Sequence, residues 1–212
     1  MEEEPCVIEE GQTLEETECF CYLGSILDCE GGVERAVRAR VAAAWTKWKD
    51  IAGLLVNKNI PLVSRSRVYD ACIRPVLLYG AETWALTQRM EEILKRYDNR
   101  MLRFMAGVRW EDHLTNDDVA ERCGIAKLEC RLRAQRLRWF GHVLRGDEEG
   151  IVREVFEMEV AGRRPVGRPR RSWRKCIDDE LDRLGIRAEC AWDRREWRTL
   201  IRRLTPQREN LT

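Results

Sequence analysis

Basic side chains are concentrated in residues 161–175, which contain seven Arg and Lys residues and no Asp or Glu. Two Pro and two Gly exclude regular secondary structure over most of this stretch. An extended, narrow, cationic chain fits along a phosphate backbone or in a narrow minor groove. The stretch therefore predicts nucleic-acid contact, and a solvated linker is the alternative. Its candidate binding residues are Arg163, Arg164, Arg168, Arg170, Arg171, Arg174 and Lys175.

Two other residues of this stretch bear on the kind of nucleic-acid contact it could make. Val166 stands where a full Arg-Gly-Arg-Pro minor-groove hook has Arg, which favours sequence-independent phosphate contact over recognition of A·T pairs. Trp173 has two interpretations: its indole either stacks on an unpaired base or anchors the following helix.

A second cationic feature is the stripe along the helix predicted at about Leu128 to Arg145. At 100° per residue, its polar positions fall within an arc of roughly 80°, and apolar positions occupy the adjacent arc. One side of the helix is therefore expected to pack while its neighbour presents positive charge. The stripe contains Arg131, Gln135, Arg138, His142 and Arg145.

Other residue types with catalytic or metal-binding potential give weaker patterns. The nine Cys and two His residues match no known zinc spacing and contain no Cys-x-x-Cys, so the thiols are interpreted as small buried side chains. The carboxylate pairs Asp117-Asp118 and Asp178-Asp179 lie at a predicted helix start and on an exposed helix face, where acids are common without catalysis. We predict no metal, no cofactor and no catalytic residue.

The overall charge conceals a strong asymmetry. The chain has 212 residues and a net charge of +1, with 38 basic and 37 acidic side chains. Residues 1–34 hold 11 acids and no Lys or Arg, so the remainder has 38 basic and 26 acidic side chains, a net charge of +12. Such a surplus favours a polyanionic partner.

The short apolar runs predict no membrane span, and the odd number of Cys without a secretory signal favours an intracellular, nuclear or cytoplasmic location.

Hydrophobic periodicity predicts a mainly α protein with a small N-terminal β hairpin. Three helices joined by short connections imply a compact bundle, and a second helical group carries the basic extended linker. The predicted parts are an acidic leader (1–18), a hairpin (19–32), a three-helix bundle (33–107), a basic helical extension (108–204) and a tail (205–212).

Several motifs occur in an order that resembles the region downstream of the catalytic palm in reverse transcriptases of non-LTR (LINE-type) retrotransposons. The resemblance covers about residues 15–200. Its motifs are CYLGSI (21–26), the Gly31-Gly32 pair, AAW (43–45), RPVLLYGAETW (74–84), RLRWFGHVLR (136–145), GRRPVGRPRRSW (162–173) and DRREWR (193–198).

The resemblance implies a role for each part of the chain. The hairpin residues Phe20, Cys21, Tyr22, Leu23 and Gly24 look like the primer grip, and the three helices look like the polymerase thumb. The later helices would form the C-terminal extension that grips template RNA or target DNA. The aromatic-x-Asp-Asp motif of the family's palm does not occur in this sequence.

The sequence therefore predicts a nonenzymatic, nucleic-acid-binding fragment of a retrotransposon polymerase, either truncated or domesticated, which binds RNA or DNA mainly through phosphates. The alternative is a domesticated helical protein-interaction module. Its support is the potential exposure of Trp173, Trp192 and Trp197, together with the acidic leader, which could mask the basic part of the same chain. Primer extension by the chain itself is the weakest hypothesis.

Overall fold

The protein is mainly α-helical, as predicted, with one small β hairpin. The computed structural model describes residues 17–29, 31–147, 150–158 and 171–204. In these ranges the strands are β1 (Cys19–Tyr22) and β2 (Ser25–Asp28). The helices are α1 (Glu34–Leu55), α2 (Leu62–Cys72), α3 (Arg74–Leu77), α4 (Gln88–Ala106), α5 (Asn116–Cys123), α6 (Leu128–Leu144), α7 (Ile151–Glu157), α8 (Trp173–Leu184) and α9 (Arg194–Leu204).

The hairpin pairs β1 with β2 in antiparallel register, with Phe20 opposite Leu27 and Tyr22 opposite Ser25. Leu23 and Gly24 both have positive φ angles, of 48° and 78°. This is the condition for the tight two-residue turn that matches strand twist. The Tyr79 hydroxyl donates to the Leu23 carbonyl at 3.1 Å, so the turn is held against the helical part of the chain.

Helices α1 to α4 pack around one hydrophobic core, whose aromatic centre includes Trp48 and Tyr69, and α5 adds to the same core beyond residue 107. The break predicted at Arg74-Pro75 is present, because α2 ends at Cys72 and a short helix α3 begins at Arg74. Pro75 lies in the first turn of α3, where its missing N–H leaves no helical hydrogen bond unmade.

A charged cluster lies inside this bundle. The Arg74 guanidinium donates from Nε to Asp98 Oδ1 at 3.0 Å and from Nη2 to Asp98 Oδ2 at 2.9 Å, and both side chains are buried. Burial opposes the charge on Arg74, but the Asp98 carboxylate outweighs it and raises the pKa of the guanidinium. Tyr69 donates to Asp98 at 2.7 Å. Burial, followed by the Asp98 charge, raises the pKa of Tyr69. The cluster therefore keeps Tyr69 neutral.

Helix α5 starts where its sequence predicted. Thr115 accepts a hydrogen bond from the Asp118 backbone N–H, and the Asp118 carboxylate accepts one from the Thr115 N–H, which completes a capping box. The helix ends at Gly124, which has a positive φ of 60° that suits glycine at a helix C-terminus.

Helix α6 connects two hydrophobic cores. Its first turns contribute Leu128 and Leu132 to the bundle core. Its later turns contribute Leu137 and Phe140 to a second core with α8 and α9. Helix α7, which periodicity did not predict, packs Phe156 against this second core. None of the helices in the described ranges combines the length and apolar content needed to cross a bilayer.

Candidate nucleic-acid interface

An open groove lies between α6 and α9, and its volume is about 850 Å³. Trp197 and Ile201 contribute its apolar lining, and no carboxylate lines it among the residues that the structure describes. We call this feature the cationic groove. Its polar lining consists of Arg138, His142 and Arg145 from α6, and Arg194, Arg198 and Arg202 from α9.

The two helices come close at Gly141, which is buried in α6. A Cβ atom added there would lie 2.6 Å from Trp197 Cδ1, so only glycine leaves room for the indole ring. The indole Nε1 of Trp197 donates to the Leu137 carbonyl of α6 at 2.9 Å. This contact fixes α9 beside α6 and places the arginines of the two helices on opposite sides of one groove.

We expect Gly141→Ala to destabilise the protein by about 1–3 kcal/mol, because the added methyl group forces Trp197 from its place. Chemical denaturation measures this change. Gly53→Ala is the matched control: Gly53 lies in α1, and an added Cβ would meet nothing within 4 Å. That variant should gain about 0.5–1 kcal/mol from helix propensity. Equal effects of the two substitutions would contradict close packing at Gly141.

The groove concentrates like charges at short range. Burial and the positive charge of Arg194 lower the pKa of Arg145, and burial and Arg131 lower that of Arg138. Burial disfavours the charge on both guanidinium groups, and Arg145 is also repelled by Arg194, which lines the same groove. An anion bound in the groove offsets this repulsion, and the planar guanidinium matches the geometry of phosphate oxygens.

The residues of the predicted α6 stripe do not all line the cationic groove. Arg138, His142 and Arg145 line the cationic groove, although Arg145 is half-buried and donates to the Ala191 carbonyl. Arg131 instead pairs with Asp70 of α2 at 3.3 Å, which partly neutralises it. Gln135 lines an adjoining cavity.

The last five residues of the basic stretch (171–175) lie at the start of α8. Arg171 and Lys175 both pair with Asp179, at 2.9 and 3.0 Å. Arg174 lies over the Phe156 ring, 5.1 Å from its centroid. Trp173 is half-buried and donates from Nε1 to the Glu82 carbonyl at 2.7 Å, which is the anchoring arrangement. Arg163, Arg164, Arg168 and Arg170 lie outside the described residues.

The primer-grip-like residues lie on the hairpin and do not line the cationic groove. Phe20, Tyr22 and Leu23 are exposed large apolar side chains, and the rings of Phe20 and Tyr22 stack with centroids 6.5 Å apart. Cys21 and Gly24 are also exposed. The hairpin is therefore a separate surface from the groove.

Sequence reasoning did not single out Arg194, Arg198 and Arg202. They recur at intervals of four residues, so they share one side of α9 beside the buried Trp197 and Ile201. This spacing was available in the sequence. The orientation of α9 relative to α6 could not be predicted from the sequence, because it depends on a contact between residues 60 positions apart.

Three of the four carboxylates considered for catalysis have structural partners, and Asp179 is one of them. Asp117 pairs with Lys127 at 2.6 Å. The hydrogen bonds from Thr115 lower the pKa of Asp118, which caps α5. Among the described residues, no three His, Cys, Asp or Glu side chains cluster in a way that could hold a metal ion.

Comparison with known proteins links the chain to transposons. It is 23% identical, over 207 residues, to an uncharacterized transposon-derived protein of Caenorhabditis elegans, and the match covers 91% of this chain and 73% of the worm protein. No protein-family model matches the chain. No solved structure matches it either. The similarity indicates a transposon-related protein.

Proposed function

We propose that this protein binds RNA or DNA through the cationic groove and has no catalytic centre of its own. The observation that carries the proposal is the groove lining of five arginines and one histidine, without a carboxylate among the described residues. Phosphate contacts supply most of the sequence-independent affinity of proteins for nucleic acids. A groove lined by two arginine-bearing helices suits a phosphate backbone better than it suits a small anion.

The resemblance to non-LTR reverse transcriptases extends this proposal. The chain would correspond to the thumb and C-terminal extension, which hold template or target while a palm performs the chemistry. The similarity to a transposon-derived worm protein supports a transposon origin. The cationic groove falls between the RLRWFGHVLR helix (136–145) and the DRREWR helix (193–198), so it joins two of the motifs that carry the resemblance.

The protein-interaction alternative loses part of its support. It depended in part on exposed tryptophans, but Trp197 is buried in the second core and Trp173 is half-buried against Phe156. Trp192 is half-exposed and lies beside the Arg153 guanidinium, 5.5 Å from the ring centroid. Trp173 and Trp197 therefore serve to assemble the helices, and of the three only Trp192 keeps a half-exposed ring.

A salt titration tests the proposed function. We expect the plot of log K against log salt for duplex DNA to flatten by about 0.9 for each lost phosphate contact. Arg198→Ala with Arg202→Ala should therefore flatten the slope by about 1.8. Fluorescence anisotropy with a labelled 20-base-pair duplex, from low to moderate salt, measures the slope.

Arg203→Ala is the matched control for Arg202→Ala. Both residues are exposed in the last turn of α9, but Arg203 does not line the cationic groove. The control should keep the parental slope while Arg202→Ala alone flattens it. A folded double variant with the parental slope, or equal flattening by Arg202→Ala and Arg203→Ala, would reject the groove as the binding site.

A further inference from the structure

A second cavity, of about 360 Å³, opens beside the cationic groove. Arg138 and His142 line both the groove and the cavity, so the two are adjacent. A ligand whose phosphates lie in the groove can therefore extend into the cavity. Glu82, Gln135 and Trp139 complete its lining. The cavity is mostly apolar, in contrast to the groove. It therefore suits a part of the ligand other than the phosphates.

Two aromatic rings form one wall of this cavity. The rings of Trp139 and His142 lie with centroids 5.1 Å apart and planes inclined at 41°. Trp139 is half-buried and belongs to neither hydrophobic core, so packing of the fold does not explain it. A partly exposed aromatic ring beside a cationic groove is an arrangement on which unpaired bases stack.

Two side chains of the cavity, Gln135 and Glu82, offer hydrogen-bond acceptors, and Arg138 offers donors. The Oε1 atom of Gln135 is buried and has no hydrogen-bond partner among the described residues. Glu82 brings a carboxylate, and its backbone is fixed because the Glu82 carbonyl accepts the hydrogen bond from Trp173 Nε1. Two acceptors favour a base that offers an exocyclic amino group, since carboxylates accept from the N4 amino group of cytosine.

We propose that the cavity receives an unpaired, amino-bearing base of a single-stranded nucleic acid whose phosphates lie in the cationic groove. Trp139 stacks on the base, and Glu82 and Gln135 accept hydrogen bonds from its amino group. The inference depends on the proposed function, because the groove must first hold the strand. It adds that the preferred ligand is single-stranded and that cytosine binds better than thymine.

Three ten-nucleotide deoxyoligonucleotides of equal charge test the inference: oligo(dC), oligo(dT) and a strand of abasic tetrahydrofuran residues. At neutral pH and fixed salt, oligo(dC) should bind about 5- to 100-fold more tightly than the abasic strand, and oligo(dT) should bind between them. Trp139→Ala should reduce oligo(dC) binding nearly to the abasic level while keeping the salt slope. Trp110→Ala, at an exposed tryptophan, should leave all three affinities unchanged.

Glu82→Met tests the hydrogen bonds separately, because it keeps the backbone contact with Trp173 and removes the acceptor oxygens of the side chain. Its preference for oligo(dC) over oligo(dT) should fall towards unity. Equal binding of oligo(dC) and the abasic strand, with a salt slope that depends on Arg198 and Arg202, would overturn this inference and keep the proposed function. Absence of binding to all three strands and to duplex DNA would overturn both.

Discussion

Asp98→Ala is expected to destabilise the protein by about 3 kcal/mol, because it leaves the buried Arg74 guanidinium without its main counter-charge. Asp70 is a partial substitute, since its carboxylate lies 3.3 Å from Arg74 Nη1 and is only half-buried. The loss therefore falls at the lower end of the range for broken buried ion pairs. Urea denaturation followed by circular dichroism measures the change in the free energy of unfolding.

Two further variants separate this charge effect from loss of packing. Asp50→Ala, at an exposed position of α1, should change stability by less than about 0.5 kcal/mol. Asp98→Leu combined with Arg74→Met removes both charges and should be more stable than Asp98→Ala. A double variant no more stable than the single one would show that the lost hydrogen bonds, and not the unpaired charge, set the cost.

Trp197→Ala is expected to destabilise the second core by about 3–5 kcal/mol, since it opens a cavity where a 2% exposed indole packed. The ring contacts Phe140 with centroids 6.1 Å apart and lines the cationic groove. Loss of the ring should therefore release α9 from α6 and weaken nucleic-acid binding as well. Denaturation and anisotropy on the same preparation measure both effects.

Trp110→Ala provides the comparison, because Trp110 is 79% exposed and lines no part of the groove. Stability should change by less than about 0.5 kcal/mol, and binding should be unchanged. Trp197→Phe keeps an aromatic ring but loses the hydrogen bond to Leu137 and part of the indole's volume, so it should cost less than Trp197→Ala. If Trp197→Ala destabilises the fold but leaves DNA affinity and salt slope intact, the groove does not bind the strand.

Local sequence determined the secondary structure of this protein to a large extent. The three long helices of the bundle, the break at Pro75 and the capping box at Thr115 follow from residues only a few positions apart. Caps, glycine C-termini and apolar periodicity act within one or two helical turns, so they can be read without knowing the tertiary structure. Helix α7 was missed because seven residues are too few to establish a period.

In the candidate site, helix geometry and long-range packing contribute separately. The sequence identified Arg138, His142 and Arg145 as one cationic side of α6, because their angular spacing is a property of the helix alone. Tertiary packing decided that Asp70 would partly neutralise Arg131 and that Arg194, Arg198 and Arg202 would complete the groove. The free charge of a surface depends on which distant residues lie opposite it, and here Gly141 and Trp197 set that arrangement by bringing α9 against α6.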